Sequence, residues 1–327
     1  MRFFKFIFFG FVLCFSACSQ NQNKQMSNLT SKNYIETMMN STKRYDYEPI
    51  YFLTFVQNSC FSEILVNDIP INKNFKKASQ GLTLDINDYI FKSGPQKVTI
   101  RLYPVGKIGI LNLPTLVNNT EMKIDITEAD NKKRDLKGKE ISTYITPLAT
   151  YEADGYEKTR FGATGKDYYE ATFTFNATVP YEFNSLDKAR DLSQWKKEIL
   201  EEKVVDFYKN QWNIINEKRE DDYFSYLELK EKQTCQSLFY NKTELQETLE
   251  SYLEAFTIED YKLQALENYT LKFYGNGKLV CLELASLESK MRGKSALWSK
   301  FDENRTADFL KYYLYIPEGE DELKILR

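Results

Sequence analysis

The chain has 327 residues, with 44 Lys and Arg against 47 Asp and Glu and no His. A net charge of −3 offers no cationic field for DNA or RNA, whose binding rests on neutralising phosphates, so a nucleic-acid partner is not expected. The missing His removes the commonest general base and metal ligand, which excludes Ser-His-Asp and Cys-His nucleophile systems, HExxH zinc sites and His-based deaminase centres. A Ser-Lys dyad, a carboxylate pair or a calcium-dependent site is what catalysis has left.

Residues 1–17 read as a secretory signal peptide: Arg2 and Lys5 charge its start, Phe6 to Phe15 form a short apolar run, and Ser16 and Ala17 precede Cys18. That run is about half the length of a membrane-spanning helix. Ser16-Ala17-Cys18 resembles the lipobox of bacterial lipoproteins, in which the thiol is acylated and the signal is cut just before it; Phe15 stands where that family usually has Leu. The resemblance implies a lipid anchor on Cys18 and a folded part in the cell envelope, facing the periplasm or the cell surface. Several acyl chains, as in that family, are what stable anchoring requires. Ser19 after the cysteine, with no Asp there, resembles the pattern that some bacteria sort to the outer membrane, so the resemblance implies the outer rather than the inner membrane. An ordinary cleaved secretory signal is the alternative reading.

Residues 18–46 are polar and lack apolar periodicity, so the lipidated Cys18 is expected to lead into a flexible tether with a reach of ~30 Å. Met38 and Met39 are its cue to a short helical contact. Residues 47–183 alternate apolar and polar positions between turn signals, the mark of a β domain. Strands are expected at 51–56, 62–66, 69–71, 82–86, 89–91, 98–103, 122–126, 141–145 and 168–179, with turns at Asn67-Asp68 and Ser93-Gly94-Pro95. Many short strands without a long helix predict a β-sandwich, jelly-roll or Ig-like. The run from Ile64 to Ile100 resembles part of a jelly-roll accessory domain of carbohydrate-active enzymes, with Asp68 where that family has Gly. That resemblance supports strand and turn order and transfers no binding residues. Asp85-Ile-Asn-Asp88 clusters oxygen ligands but lacks the Gly and distal Glu of an EF-hand loop, and reads as a strand-to-turn segment.

Residues 187–327 read as an α+β domain. Trp195, Ile199, Val204, Tyr208, Trp212 and Ile215 form a helical apolar stripe, and both Trp side chains are expected in the core rather than in a ligand pocket. Thr243-Glu-Leu-Gln246 has the pattern of a capping box ahead of a second helix, with Leu245, Leu249, Tyr252, Leu253 and Phe256 on its buried face. Gly275-Asn276-Gly277 then marks a hairpin between strands at 263–273 and 279–284, followed by strands at 296–301, 309–316 and 322–326. Helices ahead of an antiparallel sheet resemble the curved-sheet cone of the nuclear-transport-factor-2-like (NTF2-like) class.

Three mature cysteines remain beyond Cys18. Cys235 and Cys281 share the second domain and are the pair expected if one bridge forms; three buried thiols are the equal alternative. No CxxC spacing suggests a structural metal site, and Gly162–Asp167, Arg292–Ser295 and the acidic run 318–322 read as turns. No cofactor, metal or catalytic residue is assigned. The expectation is a non-enzymatic envelope lipoprotein that binds a protein or carbohydrate partner, an immunity-type protein being one form. The alternative is a glycan hydrolase with two carboxylates, for which Glu283, Asp221 and Asp222 are candidates.

Overall fold

The computed structural model describes residues 28–108, 110–133 and 138–327. The signal peptide, Cys18 and the first part of the expected tether lie outside the described residues.

From residue 28 onward the expected tether is folded, which corrects that reading. Helix α1 (Tyr34–Ser41) buries Tyr34 and Met38, and Leu29 is buried just before it. These three join the core of the C-terminal half, where apolar burial outweighs the polar appearance of the segment. The chain after α1 is also held: Lys43 and Gln236 exchange two hydrogen bonds, and Arg44 reaches the Phe239 carbonyl oxygen and the Glu48 carboxylate.

Twelve strands follow: β1 (Pro49–Asn58), β2 (Phe61–Val66), β3 (Ile69–Asn74), β4 (Gln80–Asp85), β5 (Gly94–Tyr103), β6 (Gly106–Ile108), β7 (Leu111–Leu113), β8 (Glu121–Asp130), β9 (Lys139–Ile145), β10 (Leu148–Ala153), β11 (Tyr156–Phe161) and β12 (Tyr169–Ala177). Two four-stranded antiparallel sheets, ordered β4-β1-β8-β9 and β12-β5-β2-β3, contribute to one apolar cluster and so form a sandwich. Leu53, Phe55, Ile124 and Ile126 enter it from the first sheet, and Ile64, Val98, Ile100 and Phe175 from the second.

Asn67 and Asp68 both take positive φ, 51° and 64°, so the tight turn forms without the Gly. The strand expected at 89–91 does not form: a 3₁₀ turn at Asn87–Tyr89 and irregular chain lead to β5 instead. The buried Asn87 side chain draws the backbone inward: it accepts from Tyr51 N–H at 2.7 Å and donates to the carbonyl oxygens of Pro49 and Ser237. Asp88 accepts from the Ser237 and Thr234 hydroxyls, so the oxygens of residues 85–88 serve turn and packing.

The C-terminal half contains α2 (Lys197–Asn216), α3 (Glu220–Leu238) and α4 (Lys242–Thr257), then β13 (Lys262–Leu263), β14 (Tyr269–Tyr274), β15 (Leu279–Leu284), β16 (Trp298–Phe301), β17 (Thr306–Phe309), β18 (Leu314–Tyr315) and β19 (Lys324–Ile325). Ile199, expected on the α2 stripe, is exposed, and Leu200 is buried in its place. The α4 cap sits two residues earlier than expected. Asn241 accepts from the N–H groups of Thr243 and Glu244, and the Glu244 carboxylate accepts from Asn241 N–H.

In the sheet β14-β15-β18-β19, strands β15 and β18 are buried on both faces. Val280, Leu282 and Leu314 meet the helices, while Leu279, Cys281 and Tyr313 meet Leu65, Ile69 and Phe91 of the sandwich. The molecule is therefore layered as sheet, sheet, sheet and helices. The turn at Gly275–Gly277 is fastened to the sandwich turn, with Gly275 N–H on the Asp68 carbonyl oxygen and Asn276 N–H on its carboxylate.

The helical layer encloses one buried carboxylate. Glu231 accepts hydrogen bonds from Tyr34 of α1 at 2.5 Å and Tyr252 of α4 at 2.6 Å, and pairs with Lys230 at 2.8 Å. Burial pushes its carboxyl up, but the Lys230 ammonium and the two hydroxyls overcome this and hold it below the usual carboxylate range.

Candidate functional site: a charged cleft between sandwich and C-terminal sheet

The outer face of β12-β5-β2-β3 carries two parallel rows of side chains, both set by strand register. In the first, Lys73 pairs with Glu63, Glu63 with Arg101, and Arg101 with Glu170 across four adjacent strands. The nearest approaches are 3.4, 3.7 and 2.9 Å. Two positions further along each chain segment stand Phe75, Phe61, Tyr103 and Tyr168. Phe75 lies 6.2 Å from Phe61 and 5.5 Å from Tyr103 between ring centroids, and Tyr103 lies 5.5 Å from Tyr168. The Tyr103 hydroxyl ties the rows together by donating to Glu63 at 2.9 Å.

The C-terminal sheet supplies the facing wall. Lys73 Nζ donates to both Glu283 oxygens at 2.7 Å and to the Tyr274 hydroxyl at 2.6 Å; Tyr274 in turn donates to Glu283. Lys311 approaches the same carboxylate at 3.7 Å. Glu283 and Lys73 are only 3% and 7% exposed at the side chain, so this is a buried ion pair with its hydrogen bonds largely filled.

The third wall is the segment from Ala285 to Gly293. Gly293 has a φ of +72°, and a Cβ there would stand 2.9 Å from Lys73 Cδ, so glycine allows the segment to close on the lysine stem. This places the Arg292 guanidinium 3.9 Å from the Phe75 ring centroid and 5.2 Å from that of Tyr103. Together these walls enclose a cleft of about 550 Å³, within the range of small-molecule sites.

The titratable groups of the floor are poor reagents. Burial and the neighbouring Glu283 carboxylate push the Cys281 thiol up to about 12, which keeps it protonated at neutral pH and unreactive. Burial and Lys73 lower the Lys311 ammonium below the usual lysine range.

Of the carboxylates singled out from sequence, Glu283 lies in the cleft, while Asp221 and Asp222 lie apart in the first turn of α3, where Arg219 pairs with Asp222. Glu63, the second carboxylate of the cleft, was not anticipated, nor were Lys73, Arg101 and Glu170. The available signal was a lone charge inside an apolar run, as in Phe61-Ser-Glu-Ile-Leu-Val66 and Leu279-Val-Cys-Leu-Glu-Leu284. The turn Arg292–Ser295 proves to be part of the cleft wall. Trp212 is a packing residue whose indole N–H bonds the Gln264 carbonyl oxygen, and Trp195 is half-buried at a shallow groove beneath the Arg190 guanidinium.

Of the two equal readings of the cysteines the structure shows the buried thiols: Cys60, Cys235 and Cys281 are all free and buried, and Cys235 and Cys281 are not bridged. Cys235 faces the helical core and Cys281 the sandwich side of β15, so their side chains belong to separate clusters. In the acidic run, Glu320 pairs with Lys324 and Asp321 with Arg190. Among the described residues no group of three His, Cys, Asp or Glu side chains is placed to hold a metal ion, and no helix is long and apolar enough to cross a membrane.

Comparison with known protein families, curated proteins and solved structures finds no match for this chain.

Proposed function

We propose that the protein is a non-enzymatic binding component of the bacterial cell envelope, anchored through lipid on Cys18 and using the cleft above Lys73 and Glu283 as its recognition site. One observation carries the binding reading: the Lys73 ammonium stands between the two cleft carboxylates, 3.4 Å from Glu63 and 2.7 Å from Glu283. A glycan hydrolase needs that space for the scissile oxygen or for water, with each carboxyl free to reach it. Here both carboxylates are committed to a lysine, and the floor is a fixed surface rather than a pair of reagents.

The finer fold assignments belong to the same proposal. Eight strands in two facing sheets support a jelly-roll or Ig-like sandwich, and three helices ahead of an antiparallel sheet support an NTF2-like second unit. The outer membrane is the proposed address.

Affinity capture from solubilised envelope, with wild-type protein and a Lys272→Glu variant of the cleft rim, tests the binding reading. A stoichiometric partner or ligand recovered by the wild type and lost by the variant is expected. Hydrolysis of an envelope glycan by purified protein, abolished by Glu283→Gln, would establish the hydrolase instead, since Glu63 and Glu283 do share one cleft. The anchor is tested separately: Cys18→Ser is expected to release the protein from the membrane fraction or leave its signal uncleaved, and unchanged fractionation and processing would refute it.

A further inference from the structure

The charges of the cleft floor cancel in pairs. Lys73 and Lys311 are balanced by Glu283 and Glu63, and Arg101 by Glu170. Two cations are left over. Arg292 and Lys272 both line the cleft, and neither has an ion-pair partner among the described residues. Lys272 is exposed at the rim on β14, on the same face as Thr270 and Glu283. Arg292 is laid across Phe75 and Tyr103, so its planar fork is already oriented while its N–H groups await an acceptor. Glu288 and Lys290, on the same segment, carry opposite charges and do not line the cleft.

Flat apolar surface lies beside these cations. Tyr103 lines the cleft, and the aromatic row continues from it to Tyr168, which is 41% exposed. A ligand that satisfies both features carries an oxyanion for Arg292 and Lys272 and a ring whose C–H face packs on tyrosine.

We propose that the cleft binds an acidic saccharide, with Arg292 and Lys272 gripping the sugar carboxylate and Tyr103 and Tyr168 supporting the sugar ring. This rests on the binding reading above and names its ligand class. The carboxylate accepts two N–H bonds from the Arg292 fork, and the ring hydroxyls meet the polar wall at Thr270 and Ser286. Recognition of charge is placed at the mouth, whereas the buried Lys73–Glu283 pair holds the two walls at a fixed spacing.

Calorimetric titration of the full-length protein in detergent with tri-galacturonate, with the uncharged tri-galactoside and with inorganic phosphate tests this. Tri-galacturonate is expected to bind, more weakly as salt rises, and about tenfold more weakly after Lys272→Ala or Arg292→Ala. Arg292→Lys is expected to recover only part of the loss, because an ammonium cannot reproduce the stacked fork. Lys272 is exposed, so its replacement tests the proposal without threatening the fold. Equal affinity for the uncharged saccharide, binding of phosphate with the same Arg292 and Lys272 dependence while the acidic saccharide fails, or no binding of either saccharide would each overturn the proposal. The envelope capture stands apart from these outcomes: a partner recovered there while the saccharides fail leaves the binding reading intact, and cleavage of tri-galacturonate would refute the binding reading itself.

Discussion

Glu231 shows how a single side chain makes stability depend on pH. Its carboxyl lies below the usual range in the folded protein, so the native state binds its proton less readily than the unfolded chain does. The resulting stabilisation is complete above the ordinary glutamate value of about 4.3 and is lost as pH falls through the lower folded value. Glu231→Gln should therefore lower stability at neutral pH and flatten the acid side of a urea-denaturation profile; an unchanged acid side would refute the assignment. Lys73 gives the second test. Lys73→Met leaves Glu283 buried opposite an apolar group and should destabilise by about 3–5 kcal/mol, with Lys73→Met/Glu283→Leu recovering most of it. A double variant no better than the single would show that packing, not charge, sets the effect. Glu231 was not legible in the sequence, where it stands in the charged stretch Glu228-Leu-Lys-Glu-Lys232; of the cleft, only Glu283 was picked out, and Glu63 shared its signal of a lone charge in an apolar run. Glu63 and Lys73 are close in the chain, but Arg101, Glu170 and Glu283 reach them only through strand register and sheet stacking, which composition and period do not encode.

At the scale of elements, strands with clear alternation and a marked turn were readable: β2, its Asn67-Asp68 turn and β5 form where the pattern puts them. The hairpin of β10 and β11 was missed although Asp154-Gly155, with φ of 55° and 77°, carries its turn. Those strands are largely exposed and lack the apolar alternation on which the reading relied. Helix α1 showed only as a cue at Met38 and Met39 within an expected tether, since its buried face is just Tyr34 and Met38 in a polar setting. Deleting residues 28–43 should lower the melting temperature by at least several degrees, because it uncovers Phe224 and Tyr252 and removes a hydroxyl from Glu231. A true tether would leave the melting temperature where it was. The α4 cap offers a smaller test: Asn241→Ala should cost about 1 kcal/mol, whereas Thr243→Ala, at the position read as the cap, should cost much less.

For the whole molecule, two domains at 47–183 and 187–327 imply two separable folding units. The apolar cluster that joins Leu65, Ile69 and Phe91 to Leu279, Cys281 and Tyr313 argues for one. Cutting between the halves would expose both the outer face of the sandwich and one whole face of β15, besides leaving Glu283 without Lys73. A single calorimetric transition is expected for the intact protein, with the isolated 187–327 fragment prone to aggregation. Two resolved transitions, or a soluble and cooperatively melting 187–327 fragment, would restore the picture of independent domains.

The docking of α1 also decides where mechanical load enters the protein. If Cys18 is held in a membrane, at most about ten residues of chain separate it from the folded edge at Asn28, a span of no more than ~35 Å fully extended. Tension on that leash would be borne first by Leu29, by the contact of Ser31 with Glu220, and by the Tyr34 hydroxyl on Glu231, all gripping the helical layer. The cleft lies beyond that layer, across the buried sheet. With Cys18 so held, pulling by the membrane would peel α1 from α3 and α4 before it strained the walls of the cleft, and the helix would serve as a mechanical fuse.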